Sequence, residues 1–103
     1  MRYDLPKCKI TVIKRTFNQD LADKYLDAES LVACDKFSNG QEFILEDPFE
    51  MPEGFCRWAW TDIRGDIMTI ATGGDLPWIK QRGTGITGCT DWFRPVIFKV
   101  ERV

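Results

Sequence analysis

Residues 56–72 read CRWAWTDIRGDIMTIAT, and the fold turns on whether this stretch is one helix or a hairpin folded at Arg64-Gly65-Asp66. Cys56, Trp60, Ile63, Ile67 and Ile70 recur at a 4-3-4-3 spacing, with Ala59 and Ala71 beside them. That period brings them to one side of an α-helix. Arg57, Arg64 and Asp66 fall on the other side. Gly65 costs about 1 kcal/mol in a helix interior. Thr69 and Thr72 lower the propensity further, so an end near Met68 is the variant reading. Gly73-Gly74 supplies the stop and the C-cap. The spacing predicts a helix.

On the N-terminal side, Asp47-Pro48, Pro52 and Gly54 mark a loop of tight turns. Before it, residues 41–45 (QEFIL) read as a strand, entered through the Ser38-Asn39-Gly40 turn, where Asn-Gly tolerates positive φ. Residues 8–15 (CKITVIKR) are a β-branched strand, with Ile10 and Val12 on one face and Lys9, Thr11 and Ile13 on the other. Pro6 suits an entry or edge position. A short helix follows, ending before Ser30. Asn18 is its expected N-cap, Asp20 lies in the first turn, and Phe17 and Ala22 form a weak staple. Leu21, Tyr25 and Leu26 make its apolar stripe.

On the C-terminal side, residues 75–90 (DLPWIKQRGTGITGCT) read as a loop with room for a short strand. Arg94-Pro95 introduces a last strand in which Val96, Phe98 and Val100 alternate with Ile97, Lys99 and Glu101. Pairing with the first strand would set basic side chains near Glu101. The sum is a single α+β domain over residues 1–103, a small and mostly antiparallel sheet with one or two helices.

Composition narrows the chemistry. The formal charge is −2, which does not indicate a general nucleic-acid binder. The charge is unevenly spread: residues 1–17 carry five basic side chains against Asp4, and residues 18–53 carry ten acids against Lys24 and Lys36. The two segments are expected to face each other across the fold. No signal-peptide pattern or membrane-length apolar run is visible, which predicts a cytoplasmic chain with reduced thiols.

The chain has no histidine, so the usual proton shuttle and the usual Ser-His-Asp and Cys-His machinery are excluded. Ser30 and Ser38 sit in turn-like contexts. Cys8, Cys34, Cys56 and Cys89 have no CxxC pair, which argues against a zinc knuckle. Separate buried thiols are the plainer reading, with Cys89 the one placed for reactivity. Convergence of all four would make a zinc or iron–sulfur site. Residues 83–88 (GTGITG) could form a phosphate nest, but they lack the Walker lysine and the GxGxxG context. Asp62, Asp66, Asp75 and Asp91 are possible acids or bases, with Asp62 and Asp66 one helical turn apart. Trp60 has core spacing. Trp58 lies on another helix face, free to stack on a ligand, and Trp92 stands in a turn as a lid or recognition surface.

Four segments carry a resemblance: KCKITVIKRTFNQDLADKY, CDKFSNGQEFIL, PEGFCRWAWTDI and CTDWFRPVIFKVERV. In this order they resemble a widespread family of small uncharacterised prokaryotic proteins, across nearly the whole chain. The resemblance implies no activity. It does imply cysteines at the positions of Cys8, Cys34, Cys56 and Cys89, which raises the weight of metal or redox chemistry. Family members commonly have Asp-Gly where this chain has Asp91-Trp92, so a simple type I′ turn is not expected here.

These readings favour a binding or accessory module. Its expected pocket is built from Cys34, Cys56, Trp58, Trp78, Cys89 and Arg94, with the aromatics giving contact area and Arg94 holding a carboxylate or phosphate. The default is no cofactor. The alternatives are a cysteine-based redox or metal protein, with zinc or an iron–sulfur cluster, and a dimerisation domain using Trp92 or an edge strand. Nucleic-acid contact through Lys7, Lys9, Lys14, Arg15 and Trp58 is the least favoured.

Overall fold

The computed structural model describes residues 4–27 and 32–103. Six elements run in the order β1 (Cys8–Arg15), α1 (Gln19–Tyr25), β2 (Glu42–Leu45), α2 (Arg57–Ala71), β3 (Thr84–Gly88) and β4 (Val96–Arg102). The strands form one sheet in the order β2-β1-β4-β3, every neighbouring pair antiparallel. The architecture is α+β, with α2 laid across one face of the sheet.

The stretch that decides the fold is a helix. α2 runs unbroken through Arg64-Gly65-Asp66 and buries Ala59, Ile63, Ile67, Ile70 and Ala71. A Cβ at Gly65 would meet nothing within 4 Å, so this glycine lies on the open side and only weakens local propensity. Thr72 is the C-cap, Gly73 has φ 98°, and the closing bonds are Gly74 N–H to Thr69 O and Gly73 N–H to Ile70 O. That pair is a Schellman motif, and its left-handed residue has to be glycine-like. Thr61, Thr69 and Thr72 turn their hydroxyls back onto carbonyls one turn earlier, so each hydroxyl is satisfied within the helix.

Opposite α2, β1 contributes Cys8, Ile10 and Val12, and β4 contributes Val96, Phe98 and Val100, all at most 1% exposed. Phe37, Phe43, Phe55 and Phe98 interlock around them at centroid distances of 5.0–6.0 Å, mostly edge to face. Trp60 meets Phe55 edge-on at 6.1 Å and is half-buried, at the margin of the core rather than its centre. The register of β1 slips between Val12 and Lys14, so Ile13 is a bulge residue and faces solvent.

The outer face of the sheet is ionic. Lys9 lies opposite Glu101 and bridges it at 3.6 Å and Glu42 at 3.4 Å, Lys99 joins Glu101 at 3.4 Å, and Lys7 meets Glu46 at 3.2 Å. The basic first strand therefore does face acids of the middle segment. Glu42 and Glu101 push the Lys9 ammonium above its ordinary range.

Several local expectations need correction. Asn18 occupies the N-cap of α1, but its side chain makes no cap bond and donates to Trp92 O at 2.6 Å instead. α1 is only two turns long and buries Ala22, which leaves Leu21 and Tyr25 in solvent rather than on a packed stripe. Within residues 75–90 the short strand for which the sequence left room is Thr84–Gly88, which pairs with β4 at the sheet edge, so the glycine-rich 83–88 stretch serves the backbone rather than a phosphate. A Cβ at Gly88 would stand 2.8 Å from Val96 O, so glycine is needed there for close strand approach. Ser30 lies outside the described residues.

Candidate functional site

A cavity of about 530 Å³ opens where the N-terminus of α2 meets two connections of the chain. Its base is apolar, made by the buried side chains of Phe37, Ala59 and Val96. One wall is residues 34–36, in the segment before β2. A second is Cys56 and Trp58 at the start of α2. A third is residues 89–94, between β3 and β4.

Each wall is held from behind. Arg15 donates through Nη1 to Cys34 O at 3.0 Å and through Nε to Asn39 Oδ1 at 3.0 Å, which ties the residue 34–40 segment to the end of β1. Asn18 and Thr16 bond the backbone of residues 92–95 from the other side. The Asp91 carboxylate closes the turn within the third wall, taking the Phe93 and Arg94 N–H groups on Oδ1 at 3.1 Å and Arg94 Nε on Oδ2 at 3.3 Å. That side-chain-closed turn accommodates Trp92, whose ring stands 67% exposed at the cavity rim.

Trp58 is 64% exposed, yet its indole is fixed. Nε1–H donates to Thr90 Oγ1 at 2.8 Å, and Thr90 in turn donates through its hydroxyl and its N–H to Asp62 Oδ2 at 2.9 and 2.7 Å. Trp58 and Thr90 also line a second concavity with Arg57, Thr61 and Asp62, so the indole is the wall between two hollows. Asp66, one helical turn on, accepts from Thr87 Oγ1 at 2.6 Å. Asp62 and Asp66 thus share a helix face, but they fasten α2 to β3 and its connection rather than forming an acid–base pair.

The cavity collects five of the six expected pocket residues: Cys34, Cys56, Trp58, Cys89 and Arg94. Trp78 is the exception. It lies in the connection between α2 and β3, 75% exposed and away from the cavity. Sequence reasoning missed Lys36 and Thr90, and it gave Asp62 and Arg15 other roles than the positioning ones they have, because their partners are distant in sequence.

The four cysteines do not form one ligand set. Cys8 pairs with Arg102 at one end of β4, whereas Cys89 meets Val96 at the other end. Six residues of strand separate those partners, roughly 20 Å. Cys8 is fully buried and its thiol is pushed above the ordinary range by burial, partly offset by the Arg102 charge. Cys34, Cys56 and Cys89 are half-buried free thiols in the cavity walls, and Cys89 Sγ accepts the Val96 N–H at 3.3 Å. Among the described residues no three cysteine, aspartate or glutamate side chains are grouped to hold a metal ion.

A second ionic cluster closes the other end of α2. Arg102 donates to Ile70 O, in the last turn of α2, and to Gly74 O, just past it, both at 2.8 Å, and to Asp75 Oδ1 at 3.0 Å. Asp75 also takes the Gly83 N–H at 2.6 Å and Arg82 at 3.2 Å. The Gly83 bond first and Arg102 second hold its carboxyl below the usual range. Every one of these groups is engaged within the fold, so Asp75 reads as a clasp.

No family model, curated protein or solved structure matches this chain. No helix among the described residues is long and apolar enough to cross a membrane.

Proposed function

We propose that the protein is a small-ligand binding module, and that its occupant carries a planar apolar group and a carboxylate or phosphate. The observation that carries this reading is the gathering of Trp58, Trp92 and Arg94 around one cavity of about 530 Å³. That volume lies within the roughly 300–1,000 Å³ common for small-molecule sites. The indole of Trp58 is held by Thr90, so stacking on it costs little ordering. Arg94 keeps both terminal guanidinium nitrogens free of partners among the described residues, its Nε alone being tied to Asp91. A fork of two N–H donors fits a carboxylate or phosphate. Lys36 adds a second cation to the lining. Asp35 and Asp91 line it too, and the Asp91 carboxylate is already taken up by Arg94 Nε and two backbone N–H groups. The four cysteines are free, which suits a reducing compartment such as the cytoplasm.

The test uses anilinonaphthalene sulfonate, a planar apolar anion, as a fluorescent probe. Saturable binding is expected, with displacement by aromatic carboxylates. Arg94→Met should weaken it about five-fold, the scale of a partly exposed charge contact. Non-saturable binding, or binding indifferent to Arg94, would refute the reading.

A second reading is association with another copy of the chain through the exposed rings of Trp58 and Trp92, 64% and 67% exposed on the same rim. It predicts a concentration-dependent sedimentation coefficient that Trp92→Ser abolishes.

A further inference from the structure

Three of the four cysteines open into one cavity, and the fourth is sealed away from it. Cys34, Cys56 and Cys89 come from three separate segments, line the hollow and are each half-buried. All three pack against the core at its margin, but unlike Cys8, which is 0% exposed, each keeps part of its surface outside it. The same walls carry Arg94 and Lys36. Cations beside accessible thiols draw anionic thiol reagents to them, and cationic surroundings are where thiols react selectively. Two acids, Asp35 and Asp91, also line the cavity, and Asp91 is already occupied by Arg94 and two backbone N–H groups.

We propose that the cavity is a thiol-exchange site for low-molecular-weight disulfides that carry carboxylates, with Cys34, Cys56 and Cys89 as the exchanging group and Arg94 as the carboxylate anchor. This rests on the ligand-binding reading above and gives that site a class of reactant. In the first step a cavity thiolate attacks one sulfur of the disulfide. The S–S bond of the reagent breaks, a protein–reagent S–S bond forms, and the departing thiolate takes up the proton given up by the cysteine. Where a second cavity thiol reaches the mixed disulfide, the same exchange repeats. The protein then holds an internal disulfide, and both halves of the reagent leave as thiols. The reagent is the oxidant, and two electrons pass from two cysteines to its S–S bond.

The experiment treats the native reduced protein with oxidised glutathione and reads intact mass and cysteine-containing peptides. The expected result is a glutathione adduct on, or a disulfide among, Cys34, Cys56 and Cys89, with Cys8 still reduced. Arg94→Met should slow the exchange about five-fold more than it slows exchange with neutral hydroxyethyl disulfide, and Arg94→Lys should restore part of that difference. Protection of Cys8 in each variant reports that the fold is intact. Three cavity thiols that stay reduced in native protein, yet react once it is unfolded, would overturn the proposal. So would an exchange rate that ignores Arg94. Anilinonaphthalene sulfonate binding is measured on the same wild-type sample. Binding without exchange overturns the thiol assignment alone, and failure of both overturns the cavity reading with it.

Discussion

Trp58 Nε1–H points at Thr90 Oγ1 across 2.8 Å, joining a residue in the first turn of α2 to one that follows β3. Because Thr90 also donates to Asp62, the indole is fixed at one edge although most of its surface is in solvent. Thr90→Val keeps the shape of the side chain and removes the hydroxyl. The loss of about 1 kcal/mol of hydrogen bonding should appear as roughly five-fold weaker probe binding and a small fall in Tm. Equal probe affinity in the variant would mean that the ring needs no anchor.

At the other end of α2, Arg102 replaces solvent at the helix carbonyls. Arg102→Met retains much of the stem but loses charged hydrogen bonds to Ile70 O and Gly74 O. Urea unfolding should show a loss of about 2 kcal/mol with an unchanged m-value.

Asp75, in the same clasp, gives a pH signature. Its folded carboxyl is held below the ordinary range by Gly83 N–H and Arg102. A depressed folded value adds stability above the unfolded value of about 4, and that stability disappears as pH falls through the folded value. Asp75→Asn should therefore flatten the acid limb of a stability–pH profile and leave the shape near neutrality unchanged. An acid limb as steep as that of the wild type would contradict the clasp.

Cys8 predicts the opposite limb. Burial raises its folded thiol value, so its contribution is present below the unfolded value of about 8.5 and is lost as pH rises toward the folded one. Cys8→Ala should be less stable at neutral pH, because it leaves a cavity between β1 and α2, but its stability should fall less steeply above about pH 8.5. Parallel alkaline slopes in the two proteins would show that this thiol is not desolvated.

What was legible in the sequence was periodic. Ile63, Ile67 and Ile70 repeat at the helical period and each is 0% exposed. Ile10 with Val12, and Val96 with Phe98 and Val100, alternate as strands and are buried as such. The 75–90 connection leaves room for a short strand without fixing its place, because the glycines of 83–88 carry no apolar pattern and Gly88 serves the close approach to Val96 O. Leu21 and Tyr25 misled because a stripe signals burial only where something covers it. For the site, Cys56, Trp58 and Arg94 were chosen on chemical type. Their convergence depends on Arg15, Asn18 and Thr90, whose bonds span 19 to 74 positions and leave no local trace. Trp78 has the same chemical type as Trp58 and stands apart from the cavity, since type alone does not report position.

The most direct test reads the four indole N–H resonances while anilinonaphthalene sulfonate is added. Trp58 and Trp92 line the cavity, and Trp60 and Trp78 do not, so the protein carries its own controls. Saturating shifts at Trp58 and Trp92, with Trp60 and Trp78 unmoved, are the predicted result. Shifts led by Trp78, or none that saturate, would contradict a binding cavity at the N-terminus of α2.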